Sequence, residues 1–293
     1  MTFTIPLLGA FSEGAGTVLE KKILMKRKLE TRTYNTFSFM AIVILLIPLI
    51  FIANHFLPTQ FPTQINIEAF LPLNLLLLLG VIIVSIFANL FTFYALKWEN
   101  MTELEPMRLM QPMFTIVLAF FIFSTERQTQ TSIIILSLVA SFALVASHVK
   151  KHHFSFNKYA WAAILGSLFF SLELILSKEI LNFYPPLVFY LFRCFGIFIF
   201  SLFIFKSNPK KIQKSTWPMI FGVAFVWIVY RVMLYSSYLS EGVITTTLLF
   251  ILTPVFIYLF SWKYLKEQFK WRNLIASIII LICVAIAMYL KGN

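Results

Sequence analysis

The chain has 293 residues, of which 60% are hydrophobic and only 12% are charged, and its mean hydropathy is +0.86. Soluble domains carry about 25% charged residues, so these values exclude an ordinary soluble enzyme. The net charge of +12 comes from Lys and Arg residues scattered among short loops, which is typical of membrane proteins and excludes a nucleic-acid-binding role. The sequence contains no aspartate, no phosphate-binding glycine loop and no catalytic motif, so we expect neither an enzyme nor a bound cofactor.

Ten apolar blocks, each about 20 residues long, follow one another along the chain. A helix of that length crosses a hydrocarbon core of about 30 Å, and continuous apolar runs do not fit the alternating pattern of β-barrel strands. The spans leave only short loops, so the functional site must lie among the helices. We therefore predict an all-α membrane protein with ten transmembrane helices, at residues 4–21, 36–54, 71–96, 103–123, 130–148, 158–178, 184–205, 216–239, 243–262 and 272–290.

The first span is the most polar, because it contains Glu13 and several glycines. Glu13 lies on the same helix face as Gly9 and Gly16, at spacings of four and three residues. A charged side chain at mid-membrane costs at least about 2.5 to 3.5 kcal/mol, so it requires a partner, water or a function. We predict that Glu13 exchanges protons. The alternative is a helix-packing carboxylate that pairs with an arginine.

The third and fourth spans contribute further polar and aromatic groups. Asn89 and Tyr94 lie in the third span, and Arg108 and Gln111 lie near the start of the fourth, ahead of Pro112. A proline inside a membrane helix frees a backbone carbonyl, which is tolerated beside a cavity. We predict that Asn89, Tyr94, Arg108 and Gln111 contact substrate, with Arg108 directed towards an anionic group.

The second half of the chain supplies one intramembrane acid and two intramembrane bases. Glu173 lies in the sixth span, Arg193 lies in the seventh near Tyr190, and Arg231 lies in the eighth, one turn after Trp227. We predict that Glu173 is a second proton-coupling group and that the two arginines and their aromatic neighbours bind substrate. The alternative is that ion pairs between the glutamates and the arginines merely lock the bundle.

Orientation follows from the Lys and Arg residues of successive loops. The loops after spans 1, 3, 5, 7 and 9 carry 18 of them, whereas the other loops and the termini carry three. Such an excess marks the cytoplasmic side, so we predict that both termini lie outside a prokaryotic cell membrane. His148, His152 and His153 lie in the central basic loop without a nearby carboxylate, and we predict no metal site there.

The chain repeats itself in two halves, 1–150 and 151–293. At an offset of 157 residues, the segment 4–24 matches the segment 161–181 at six of 21 positions, and further matches occur in the same order at offsets of 142 and 145. Each half contains an odd number of spans, so equivalent helices must cross in opposite directions, as in many secondary transporters. The duplication predicts a site at the interface of the halves. The matches include Gly9 with Gly166, Pro112 with Pro254, and the sequence SIIIL at 132–136 and 277–281, and their common order is stronger evidence than any one of them.

The start and the proline-bearing fourth span of each half resemble the drug/metabolite transporter superfamily, in particular its EamA-type ten-helix branch. The starts read LLGAFSEGAGTVLEKKIL and AILGSLFFSLELILSKEIL, and the fourth spans read MQPMFTIVLAFFIFSTE and LTPVFIYLFSWKYLKE. The resemblance covers nearly the whole chain and implies a transporter built from two EamA-like repeats. EamA-type proteins usually have both termini in the cytoplasm, opposite to the orientation that the Lys and Arg count predicts.

One stretch is similar to the first helix of the small multidrug resistance proteins, four-helix members of the same superfamily. Its pattern is Glu13, Gly16, Thr17, Leu19 and Lys21. In those proteins the equivalent glutamate binds a proton and a cationic substrate by turns, so the similarity implies a coupling role for Glu13. The three intramembrane arginines depart from that pattern and favour an anionic or zwitterionic substrate over a lipophilic cation.

The sequence thus predicts a secondary active transporter, proton-coupled and working by alternating access, that moves a small polar, anionic or zwitterionic metabolite. The expected partners are this small molecule, protons and the lipid bilayer, with the chain acting as a monomer or a homodimer. Two alternatives stay open. One is a flippase of the same fold for a lipid-linked substrate, and the other is a membrane binding or sensor subunit that does not transport.

Overall fold

The computed structural model describes residues 4–26, 29–59, 61–98, 107–108, 110–124, 131–148, 158–266 and 271–292. Within these ranges the regular structure is helical, as unbroken apolar runs in a membrane require, because a helix satisfies its backbone hydrogen bonds internally. The main helices are α1 (Thr4–Lys26), α2 (Thr31–Phe56), α3 (Pro72–Trp98), α4 (Met110–Ile122), α5 (Thr131–His148), α6 (Lys158–Ile180), α7 (Pro186–Phe205), α8 (Trp217–Glu241), α9 (Val243–Phe250), α10 (Thr253–Phe260) and α11 (Trp271–Gly292).

A helix lies on each of the ten predicted blocks, and the all-α membrane class is confirmed. The helix α1 is less apolar than the others because Glu13, Glu20 and Lys21 interrupt it. Two apolar helical stretches of the described chain are shorter than a full span, at Met110–Ile122 and Ser277–Ile286. Six segments of the described chain are long and apolar enough to cross a membrane. They are Thr31–Phe56, Pro72–Trp98, Lys158–Ile180, Pro186–Phe205, Lys214–Glu241 and Val243–Leu265.

The ninth predicted span, 243–262, is divided rather than continuous. Helix α9 ends at Phe250, α10 begins at Thr253, and a π-helical turn follows over Ser261–Leu265. Pro254 fits the first turn of α10, where its missing N–H would have no partner within that helix. In a continuous helix the same proline would leave the Phe250 carbonyl without its donor. Ile251 and Leu252, between the two helices, keep right-handed helical dihedral angles, and their N–H groups donate to carbonyls of the preceding turn. The break is therefore a tightened turn ahead of Pro254 that divides the span.

The packing of the helices follows the repeat. Helix α1 packs along α8, and its counterpart in the other half, α6, packs along α3. Helix α4 packs on α6, and correspondingly α10 packs on α1. Two pairs of equivalent helices also contact each other, α2 with α7 and α5 with α11. This exchange of partners is the one expected of two inverted five-helix repeats, whose interface runs through α1, α3, α4, α6, α8 and the divided ninth span.

A glycine at the equivalent place in each half permits close contact between the halves. A Cβ atom on Gly166 of α6 would lie 2.6 Å from Oγ1 of Thr92 in α3, so any larger residue would have to displace that side chain. Gly9 of α1 approaches Met233 of α8 and Phe250 of α9 in the corresponding way. Close helix packing therefore explains why these two glycines match in the sequence. The predicted boundary between the halves lies outside the described residues.

Candidate functional site

A buried carboxylate in α6 joins three helices. The Glu173 side chain has no exposed surface, and its Oε1 and Oε2 atoms lie 3.0 Å from Nε of Arg193 in α7 and 3.0 Å from Nη1 of Arg231 in α8, respectively. The hydroxyl groups of Ser177 and Tyr235 also donate hydrogen bonds to Oε1, at 3.0 and 3.2 Å. Two guanidinium groups and two hydroxyl groups thus compensate for the burial of this negative charge. The carboxylate in turn positions both arginines.

Two guanidinium groups share the Glu173 carboxylate, and the Arg193 group is not fully satisfied by it. Arg193 is 1% exposed, and its Nε also lies within hydrogen-bonding distance of Oγ of Ser85 in α3, at 3.0 Å. Its Nη2 atom is buried without a hydrogen-bond partner among the described residues. A buried guanidinium with an unsatisfied donor favours an additional acceptor, and an anionic ligand group would supply one.

Aromatic rings surround both guanidinium groups. Arg193 lies over the ring of Tyr190, 5.9 Å from its centroid, as the sequence predicts. Arg231 lies over three rings, those of Tyr230, Tyr235 and Phe170, at 5.3, 5.9 and 5.7 Å. Its expected neighbour Trp227 packs instead against Tyr230, with ring centroids 5.1 Å apart. Rings at these distances stabilise the cations by cation–π attraction.

Glu13 lies beside the break in the ninth span. Its Oε2 atom accepts a hydrogen bond of 2.7 Å from the Thr253 hydroxyl at the start of α10. The carboxylate also interacts electrostatically with Arg108 and Arg231 and contacts Tyr230. Glu13 therefore connects the first helix of one half to the discontinuous helix of the other.

Arg108 reaches α1 between two acidic residues. Its Nη2 atom lies 3.5 Å from Oγ1 of Thr17, which is one turn after Glu13 and one turn before Glu20. Glu20 is 3% exposed and accepts a hydrogen bond of 3.0 Å from the Tyr34 hydroxyl of α2. Sequence reasoning missed Glu20, although its spacing of seven residues from Glu13 puts both on one helix face.

Two cavities lie at the interface between the halves. One, which we call the basic-side cavity, contains about 660 Å³ of space with its open mouth included. On α8 its wall runs from Val223 to Arg231, the part of that helix next to the Lys-rich loop 206–216. The second, the opposite-side cavity, contains about 520 Å³ and is lined on α8 by residues from Tyr230 to Tyr238. The two cavities therefore follow each other along the axis of α8.

The two cavities share part of their walls. The residues that line both are Glu13, Arg108, Gln111 and Tyr230. They come from α1, α4, α8 and the segment that leads into α4, so both halves contribute. This shared wall, with one carboxylate and one guanidinium group, separates the space on the basic side from the space on the opposite side.

Most of the predicted site residues meet in this region. Glu173 lies behind the arginines rather than in either cavity wall, as far as the described residues define those walls. Tyr94 also lies outside both described walls and packs against Tyr159, with ring centroids 5.4 Å apart. The predicted residues that line the basic-side cavity are Glu13, Asn89, Arg108, Gln111, Tyr190, Arg193, Trp227 and Arg231.

Metal ligands do not cluster in the part of the chain that the structure describes, where no group of three or more His, Cys, Asp or Glu side chains could hold an ion. His152 and His153 lie outside the described residues, and so does the side chain of His148. The chemistry of the site rests on carboxylates, guanidinium groups, hydroxyl groups and rings, which bind small charged molecules and protons.

Membrane-spanning helices in two inverted halves, with charged cavities at the interface of the halves, define the architecture of a membrane transporter. The chain belongs to the EamA-like transporter family, whose sequence profile matches residues 3–147 and again residues 157–289. It is therefore a membrane transporter of the drug/metabolite transporter superfamily, a family of transporters rather than enzymes.

Other comparisons add the fold alone. A solved crystal structure is similar to this chain over 100% of both chains, with a TM-score of 0.74 at 15% sequence identity. No curated protein matches the chain in sequence.

Proposed function

We propose that this member of the family is a secondary active transporter that moves a small polar, anionic or zwitterionic metabolite by alternating access, coupled to protons at Glu13. Its basic loops lie in the cytoplasm and its termini outside, as the Lys and Arg distribution favours.

One observation carries the proposal, namely the wall that the two cavities share. Residues 223 to 231 of α8 line one cavity and residues 230 to 238 line the other, a stretch of roughly 22 Å along the helix axis at about 1.5 Å per residue. Alternating access needs a central site that two pathways reach in turn. Glu13 and Arg108, which belong to both cavities, have the position that such a site requires.

The charges support a substrate with an anionic group. Three guanidinium groups, those of Arg108, Arg193 and Arg231, line the basic-side cavity. The Nη2 atom of Arg193 is buried without a hydrogen-bond partner among the described residues. The two ion pairs give Glu173 a positioning role. Proton exchange by Glu173 itself stays a prediction.

Glu13 is the stronger candidate for coupling, because it contacts a helix end rather than a rigid pair of arginines. Its partner Thr253 starts α10 directly after the break in the ninth span. Protonation of Glu13 would weaken the attraction to Arg108 and Arg231, and so change the contacts between α1 and the other half.

The experiment is uptake into proteoliposomes. A thermal-shift screen of amino acids and small carboxylates in detergent identifies a ligand that raises the unfolding temperature, because binding to the folded state stabilises it. We expect an imposed pH gradient to increase uptake of that ligand by wild type and not by Glu13→Gln. The matched control is Glu179→Gln, since Glu179 is an exposed glutamate and this variant should retain the wild-type response.

Gradient-driven uptake that is unchanged in Glu13→Gln would refute the coupling role. A ligand that binds but never crosses sealed vesicles would favour a binding or sensor subunit instead.

A further inference from the structure

The wall of the basic-side cavity changes in character with depth. On α8 this wall begins with Val223 and Ala224, about 9 Å along the helix from its basic-side end at Trp217. It ends with Arg231, about 21 Å from the same end. The α8 side of the cavity is therefore apolar towards the mouth and cationic at depth.

Helices α3 and α2 extend the apolar part of this wall. On α3, Leu96 and Phe93 lie near the basic-side end of the helix, and the amide of Asn89 lies two turns deeper than Leu96. Helix α2 contributes Phe39 and Ile42. These four apolar residues are at most 5% exposed, so they are enclosed by helices rather than turned to the lipid. We call the surface formed by Leu96, Phe93, Phe39, Ile42, Val223 and Ala224 the apolar wall.

The polar side chains beside the apolar wall have contacts within the protein. The Ser38 hydroxyl donates a hydrogen bond of 3.1 Å to the Asn35 carbonyl. The Glu20 carboxylate accepts a hydrogen bond of 3.0 Å from the Tyr34 hydroxyl, and the Thr92 hydroxyl lies against α6. The apolar side chains beside them offer a ligand only van der Waals contact and the exclusion of water, which favours an apolar group in this part of the cavity.

The deep end of the cavity favours an oxygen acceptor instead. The Nη2 atom of Arg193 is buried without a hydrogen-bond partner among the described residues, although its Nε atom faces Glu173 and Ser85. A carboxylate oxygen would satisfy this donor. Two acids, Glu13 and Glu20, line the same cavity, so they repel a doubly charged anion more strongly than a singly charged one.

We propose that the substrate is a monocarboxylate with an apolar body, which binds with its carboxylate at Arg193 and its body against the apolar wall of α2, α3 and α8. This inference rests on the proposed function and names the kind of anion that the transporter accepts. Each methylene group of the body that is buried against the wall should tighten binding about fourfold. A carboxylate without such a body gains only the contact at Arg193.

The test is titration calorimetry of the purified protein in detergent, with micelles lacking protein as the blank. The probes are butanoate, hexanoate and octanoate, together with two analogues of the longest acid: octanedioate, which is doubly charged, and octanamide, which is uncharged. We expect the Kd to fall about fourfold for each added methylene group. Octanoate should bind at least tenfold more tightly than either analogue.

Two variants separate the two ends of the site. Arg193→Lys keeps the positive charge but removes Nη2, so it should weaken all three monocarboxylates equally, by about tenfold, and leave the dependence on chain length unchanged. Val223→Thr keeps the side-chain shape but adds a hydroxyl group to the apolar wall, so it should weaken octanoate several-fold and butanoate least, because only the longer body reaches this depth. The matched control is Val284→Thr, since Val284 is buried in α11 and lies outside both described cavity walls.

Equal affinities for butanoate and octanoate, or no binding of octanoate, would overturn the inference. So would octanedioate that binds as tightly as octanoate, or Arg193→Lys that binds like wild type. If Arg193→Lys does not fold, the chain-length series and Val223→Thr decide the question without it.

Failure of this inference can be distinguished from failure of the proposed function. A preference for a short polar acid, with gradient-driven uptake that is lost in Glu13→Gln, would refute the monocarboxylate class and leave the proposed function standing. Octanoate that binds as expected but never crosses sealed vesicles would support the binding site and refute the transport of this ligand.

Discussion

Replacement of Glu173 by glutamine tests the charge cluster that joins α6, α7 and α8. Glutamine has nearly the same volume and can still accept hydrogen bonds from Ser177 and Tyr235, so the packing is preserved. What it removes is the single negative charge between two guanidinium groups whose side chains are 2% and 5% exposed. Both cations would then remain buried without the carboxylate that pairs them.

Breaking a buried ion pair by removing one partner costs about 3–5 kcal/mol, because an uncompensated charge stays in a medium of low dielectric constant. Here one carboxylate serves two arginines, so we expect the upper part of that range. For a domain of 150–250 residues, 1 kcal/mol corresponds to about 2–4 °C in the unfolding temperature. Glu173→Gln should therefore lower the unfolding temperature in detergent by roughly 10 °C or more.

The control is again Glu179→Gln, in the same helix and exposed, which should change the stability by less than about 0.5 kcal/mol. If the two variants unfold at the same temperature, the pairing of Glu173 with the arginines is refuted. A double-mutant cycle with Arg231→Gln adds a second criterion. Residues in direct contact should show a coupling energy of about 0.5–3 kcal/mol, whereas independent sites would give additive losses.

Two more expectations concern packing and orientation. Gly166→Ala should destabilise the protein by about 1–3 kcal/mol, because the added Cβ would meet Thr92. Gly80→Ala should instead stabilise α3 by about 0.5–1 kcal/mol, because no atom lies within 4 Å of the added Cβ. Equal unfolding temperatures for the two variants would contradict the close contact of α6 with α3. For orientation, a membrane-impermeant maleimide should label Asn208→Cys from the cytoplasmic side and Gln64→Cys from outside, over a low background because both native cysteines are buried. The reverse pattern would refute the predicted orientation.

The positions of the spans were predictable because hydropathy is a local property. A helix lies on each of the ten apolar blocks, and most helix limits fall within a few residues of the predicted ones. The exceptions are the fourth block, whose helix α4 is described from Met110, and the ninth, which is divided. The break in the ninth span was not predictable in this way, since residues 243–262 are continuously apolar. Pro254 indicated that backbone would be freed, but whether a proline kinks a helix or begins a new one depends on the helices that pack around it.

The members of the site were more predictable than their pairing. Charged residues are rare in these spans, so Glu173, Arg193 and Arg231 could be recognised from sequence, but only tertiary packing decides which acid meets which base. Glu20 was missed because the predicted first span ended at residue 21, which places an acid at the membrane interface. The helix runs to Lys26, so Glu20 lies inside it and faces the cavity.

The repeat is preserved in the packing of the two halves and not in their charges. Gly9 and Gly166 make equivalent close contacts, but Gly16 stands where the other half has Glu173, and Asn89 stands where it has Arg231. In an inverted repeat, matching contacts in the two halves give the inward-open and outward-open conformations similar packing energies. The free-energy difference between these conformations is then only a few kcal/mol. A bound proton or ligand can then shift the equilibrium through its different interactions with the two states. Because the charged residues differ between the halves, the unequal carboxylates and arginines are groups through which such a shift can act.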